Sequence, residues 1–125
     1  MRHRTILVVD DEQDVRSLVA MALEMGAGWT VLDEADGDRA VERAAKVHPD
    51  LIILDVNLGR RNGPAVFADL RGDARTTSIP VIFLTGNVRP AETSLLRALG
   101  AGVMSKPFDP MTLAVTIMAE AGWTD

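Results

Sequence analysis

Pro49-Asp50-Leu51-Ile52-Ile53-Leu54-Asp55-Val56, near the middle of a 125-residue chain, is the stretch from which the fold is read. Leu51–Leu54 is an unbroken apolar run, closed by Asp55 and preceded by a proline and an acid. Such a run is too short for an ordinary helix and lacks the polar alternation of a strand with one wet face. It fits a strand covered on both faces, as strands inside parallel sheets are. Parallel neighbours need crossovers, so helices are expected on either side of it.

The pattern repeats outward from this strand. Toward the N-terminus, Ala40, Val41, Ala44, Ala45 and Val47 form an apolar helical stripe that starts at Gly37-Asp38 and is closed by Pro49; a strand over Trp29–Glu34 precedes it. Further back, Val15, Leu18, Val19 and Ala22 recur at helical spacing until Gly26 and Gly28, behind a short strand at Ile6–Val9. Toward the C-terminus the expected order is a polar loop, a helix from Pro64 to Arg71, a strand over Pro80–Leu84, a helix opening at Pro90, a strand over Gly102–Ser105 and a last helix opening at Asp109-Pro110. Five strands alternating with five helices specify one doubly wound α/β domain over residues 1–125. In such sheets the ligand sits beyond the carboxyl ends of the strands, where strand order reverses.

Composition narrows the chemistry. A net charge of −5, a pI near 4.9 and no basic run argue against a nucleic-acid surface or an anionic membrane surface. With no cysteine, thiol nucleophiles, disulfides and thiolate metal sites are excluded, which leaves carboxylates and hydroxyls to do the work. The longest apolar runs are too short to cross a bilayer, and the expected location is the cytoplasm.

Four of the five strands end in a charged or reactive group: Asp10-Asp11, Asp55, Thr85 and Lys106. Taken singly, each reads as a cap, a turn or a solvated charge. Taken jointly, in fixed order along the ligand-binding edge, they read as a site. Carboxylates held together repel one another, and burial raises their pKa values unless a cation compensates. Magnesium suits one or two carboxylates plus a phosphate oxygen better than calcium does, and zinc lacks ligands in a chain with only His3 and His48.

On these residues the chain resembles the receiver domain of bacterial two-component response regulators, of the chemotaxis-regulator kind. The matching strings are Val8-Val9-Asp10-Asp11-Glu12, Pro49 through Val56, Leu84-Thr85-Gly86 and Lys106-Pro107-Phe108. The resemblance implies a flavodoxin-like (βα)5 fold with strand order 2-1-3-4-5. It implies a signalling module rather than an enzyme, one that assists its own phosphorylation and dephosphorylation. Asp55 would accept the phosphoryl group from a histidine kinase or a histidine phosphotransfer protein. Asp11 and Asp55 would bind Mg2+ directly, Asp10 through a water, and the Asn57 main-chain carbonyl would add a ligand. Thr85 and Lys106 would hold the phosphoryl oxygens. Gly63 falls at a turn glycine, the Lys106-Pro107 bond would be cis, and Asn57 and Asn87 match positions that tune decay of the acyl phosphate.

Two positions depart from that pattern. Val103 stands where receivers usually carry an aromatic or histidine that swings inward on activation, and a stiff β-branched side chain cannot repeat that movement. Gly59 stands where proline is common, which is expected to loosen Asn57–Asn62. Two alternatives follow: a pseudo-receiver that binds partners without phosphorylation, and an aspartate-nucleophile phosphatase, whose motif order disagrees because the acidic pair here comes first. The last helix has apolar residues around all but a narrow stripe of Thr112, Thr116 and Glu120. With Trp123 it is either packed deeply or part of a homodimer or partner surface. Met21 and Met25, one turn apart on the first helix, are expected in the core, with a docking patch for kinase helices as the second reading.

Overall fold

The structure is a computed structural model that describes residues 2–86 and 89–124. In chain order it runs β1 (Thr5–Val9), α1 (Gln13–Ala27), β2 (Thr30–Glu34), a 3-10 turn at Gly37–Arg39, α2 (Ala40–Val47), β3 (Leu51–Asp55), β4 (Asn57–Leu58) and β5 (Arg61–Asn62). The second half is α3 (Gly63–Gly72), β6 (Val81–Thr85), α4 (Pro90–Ala98), β7 (Gly102–Ser105) and α5 (Leu113–Ala121). The large sheet is ordered β2-β1-β3-β6-β7 and all its pairings are parallel. Counting those five strands alone gives the expected order 2-1-3-4-5. The reversal lies between β1 and β3, whose C-terminal ends carry Asp10 and Asp55.

The unbroken apolar strands follow from this layering. Leu7, Val9, Ile52, Leu54, Val81 and Phe83 point to the face packed with Ala40, Ala44, Val66, Phe67, Leu70 and Leu96 from α2, α3 and α4. Their neighbours Ile6, Val8, Leu51, Ile53, Ile82 and Leu84 point to the other face, against Val19, Leu23, Leu113 and Ile117 from α1 and α5. Successive strand residues face opposite sides, so a strand covered twice needs no polar position. All five residues of β3 are buried, Asp55 included.

Three details differ from the sequence reading. Asn57–Asn62 is a tight hairpin rather than a loosened loop, with Asn57 paired to Asn62 and Leu58 to Arg61. Gly59, at φ 71°, takes the first of its two turn positions, where type II′ hairpins place glycine and which proline cannot occupy. Arg61 ties the hairpin down through Asp38 at 3.2 Å and Asp69 at 2.8 Å. The last helix begins at Leu113, because Asp109 first closes a turn by accepting from the Met111 N–H and, through its carbonyl, from the Thr112 N–H. Met21 and Met25 lie on the outer face of α1, 55% and 81% exposed, and not in the core.

The apolar last helix is divided. Leu113 and Ile117 are buried in the sheet face, whereas Val115, and Met111 in the turn before the helix, are exposed. Trp123 turns inward: its ring meets Trp29 edge-on at 5.8 Å, and the Arg4 guanidinium lies 4.1 Å from its centroid. Among the described residues no helix is long and apolar enough to cross a membrane.

Candidate functional site

Register brings the strand ends together. Val9 is the partner of Leu54, so Asp10 and Asp55 leave adjacent strands side by side. Asp55 is the partner of Leu84, and Thr85 that of Ser105, so Thr85 and Lys106 follow at the same edge. Neighbouring strands lie about 4.8 Å apart, within reach for side chains that converge. The Lys106 N–H donates to the Thr85 carbonyl at 2.8 Å, and the Lys106-Pro107 peptide is cis, as expected.

Lys106 Nζ lies 3.3 Å from Asp55 Oδ2, 3.3 Å from Asp10 Oδ2 and 3.6 Å from Glu12 Oε1. Asp55 Oδ1 accepts from the Asn57 N–H at 3.1 Å, so the Asp55 carboxylate is held on one oxygen by main chain and on the other by an ammonium. Asp10 and Thr85 are buried as well, while Asp11 is exposed at the mouth. The open cleft, about 430 Å³, is lined by Asp11, Glu12, Asp55, Asn57, Gly59, Gly86 and Lys106. Asn87 lies outside the described residues.

The electrostatics are those of a site short of positive charge. Ligand oxygens of Asp10, Asp11, Glu12 and Asp55 lie within 4.8 Å of one another. One ammonium cannot neutralise four carboxylates. Burial, followed by the charge of Asp55, holds the Asp10 carboxyl above its usual range, although the Glu12 N–H and Lys106 pull the other way. Burial acts to lower the Lys106 pKa, yet the charges of Asp10 and Asp55 beside the ammonium outweigh it and raise the group above an ordinary lysine. Asp10 Oδ2 is buried and makes no hydrogen bond. A hard divalent cation fits this donor set, which is all oxygen and mostly carboxylate.

The structure therefore brings together Asp10, Asp11, Asp55, Thr85, Lys106 and Asn57, all named from the sequence. Two neighbours escape that reading. Glu12 joins the acidic group, and Arg16, in the first turn of α1, donates from Nη1 to the Asp10 carbonyl at 2.8 Å and from Nε to Asp33 Oδ2 at 2.9 Å. The string Asp10-Asp11-Glu12 offered a signal for the first. Nothing in helical periodicity shows which strands an arginine will bridge.

A five-stranded flavodoxin-like sheet with an aspartate–lysine pocket at its switch point defines the architecture of receiver domains. The chain belongs to the response regulator receiver domain family, whose model matches residues 6–118. It is 35% identical over 119 residues to the phosphate regulon transcriptional regulatory protein PhoB of Pseudomonas aeruginosa, covering 93% of this chain and 51% of that protein. It is also 35% identical to the alkaline phosphatase synthesis transcriptional regulatory protein PhoP of Bacillus subtilis, covering 94% of this chain and 48% of that protein. The chain thus spans about half the length of these curated relatives. Among solved structures, the Vibrio cholerae chemotaxis protein CheY4 superposes with a TM-score of 0.85 at 32% identity, covering 95% of this chain and 99% of that one. The BeF3-activated N-terminal receiver domain of Klebsiella pneumoniae RstA gives a TM-score of 0.81 at 30% identity, covering 93% and 97%.

Proposed function

We propose that Asp55 is a phosphoacceptor and that the chain signals through the charge this adds. The observation that carries the reading is a buried Asp55 carboxylate with Lys106 Nζ at 3.3 Å, in a pocket where three further carboxylates converge. Asp11 and Asp55 would hold Mg2+ directly, Asp10 through a water, with the Asn57 carbonyl as a main-chain ligand. Bound there, the cation neutralises the carboxylates and the oxygens of a transferring phosphoryl group.

The remaining work falls to the protein's own side chains. An Asp55 oxygen attacks the phosphorus of a phosphohistidine on a partner kinase or phosphotransfer protein; the P–N bond breaks, the imidazole leaves, and an acyl phosphate forms. Lys106 stabilises charge spread over the equatorial oxygens, and Thr85, one strand away, donates to one of them once the group is in place. A single negative charge becomes nearly two, with new strong acceptors. This biases a pre-existing equilibrium at the strand ends. Val103, buried in the sheet core, has no ring to swing, so the shift is carried by the Thr85 edge. A homodimer through α5 and the turn before it would rest on exposed Val115 and Met111, since Trp123 is engaged within the chain.

The test is incubation with a small phosphodonor and Mg2+, read by intact mass beside Asp55→Asn. One added phosphoryl group in the wild type, none in the variant and none without the metal is the expected result. Equal labelling of the variant would reject Asp55, and a wild type that stays unlabelled would favour the pseudo-receiver reading.

A further inference from the structure

Asp10 is held from three sides. Its N–H donates to the Glu34 carbonyl at 3.1 Å, and its Oδ1 accepts from the Glu12 N–H at 2.9 Å. Its carbonyl accepts from Arg16 Nη1 at 2.8 Å. Only Oδ2 remains without a hydrogen bond, facing the Lys106 ammonium. The third restraint differs from the others because it comes from a side chain. Arg16 is 14% exposed, and its Nε is simultaneously fixed at 2.9 Å to Asp33 of the edge strand β2.

We propose that Arg16 is a positioning residue of the acidic pocket, one that sets the orientation of the Asp10–Asp11 peptide and so the affinity of the site for a divalent cation. The inference rests on the magnesium reading above. The peptide unit is planar and stiff. Pinning the Asp10 carbonyl therefore fixes the direction in which the chain enters Asp11, the exposed acid at the mouth of the cleft. A guanidinium suits the task because its planar fork reaches two acceptors at a fixed angle, which an ammonium on a flexible stem does not. Asp33, 56% exposed, orients the arginine and ties the edge of the sheet to the pocket.

The experiment is titration of the purified chain with Mg2+ by calorimetry and with Mn2+ by electron paramagnetic resonance, alongside thermal melting without metal. The chains compared are wild type, Arg16→Gln, Arg16→Lys and Asp33→Asn. Partners that orient metal ligands typically cost at least tenfold in affinity when removed. Arg16→Gln should accordingly bind Mg2+ about tenfold more weakly. Lysine should restore part of the loss through its single bond to the Asp10 carbonyl, and Asp33→Asn should weaken binding less than Arg16→Gln. A lowered melting temperature with unchanged metal affinity in Arg16→Gln would make the residue a structural strut and overturn the proposal. Should that variant not fold, wild-type affinity in both Arg16→Lys and Asp33→Asn overturns it equally. A wild-type chain that binds neither metal defeats the magnesium reading itself, which is a separate outcome.

Discussion

At the scale of single residues, Asp10 shows function set against stability. Its carboxyl is held above the usual range, first by burial and then by Asp55, so the folded chain binds that proton more tightly than the unfolded chain does. The sign follows. Below the ordinary carboxylate range the group costs nothing, and the cost grows as pH rises through the folded value. Asp10→Asn keeps an oxygen for the Glu12 N–H and removes the charge. Without metal at neutral pH it should be more stable than wild type by on the order of 1 kcal/mol, an advantage that fades in acid. Added Mg2+ should raise the wild-type melting temperature more than the variant's. A variant that melts lower at neutral pH would contradict this account of the pocket. The acids, hydroxyl and lysine were legible because each ends a strand, and strand ends in this fold share one edge. Glu12 went unread despite standing next to the acidic pair, and Arg16 was not legible, because at the start of a helix an arginine looks like an ordinary solvated charge.

At the scale of elements, the turn from β3 into α3 positions Asp55. Asn62 caps α3 by accepting from the Ala65 N–H at 2.8 Å, and Gly63 donates to the Val56 carbonyl. A Cβ on Gly63 would lie 2.4 Å from the Asp55 carbonyl oxygen and 2.9 Å from Val56 Cα. These are main-chain atoms that cannot rotate away. Gly63→Ala should cost roughly 3 kcal/mol in denaturant unfolding and slow the proposed phosphorylation, since the clash falls on the peptide of Asp55. Normal stability with normal labelling would show that the turn can relax. Long elements were legible from periodicity, down to the doubly covered strands. The hairpin was not, because strands of two residues carry no period, although Gly59-Arg60 is a recognisable two-residue turn. The outward Met21 and Met25 show a second limit: helical spacing places them on a common stripe without saying which way that stripe faces.

At the scale of the whole molecule, the flank formed by α2 and the end of α3 carries its own electrostatics. Arg75 bonds Asp73 and Glu42, joining the end of α3 to α2. The Arg75 guanidinium holds Asp73 down at about 2 and lowers Glu42 as well. A depressed carboxylate stabilises the fold above its unfolded pKa, 3.8 for Asp73, and that support is lost as pH falls through about 2. Arg75→Gln should lower the melting temperature modestly at neutral pH, because the groups are exposed and screened. The gap to wild type should close between about pH 4 and about pH 2. A gap independent of pH would mean that Arg75 acts through packing alone. The link to α2 left no trace in the sequence reading because Glu42 lies 33 residues from Arg75 along the chain. The sheet order was readable, and with it the edge on which the pocket stands. The central claim is that Asp55 carries the phosphoryl group while Asp11, Asp55 and Asn57 surround the cation. It is tested most directly by a crystal structure grown with Mg2+ and beryllofluoride. The account predicts beryllium on an Asp55 carboxylate oxygen, fluorines against Thr85 and Lys106, and the metal on the Asp11 and Asp55 side chains and the Asn57 carbonyl. An adduct on another carboxylate, or a metal bound away from Asp11, would contradict it.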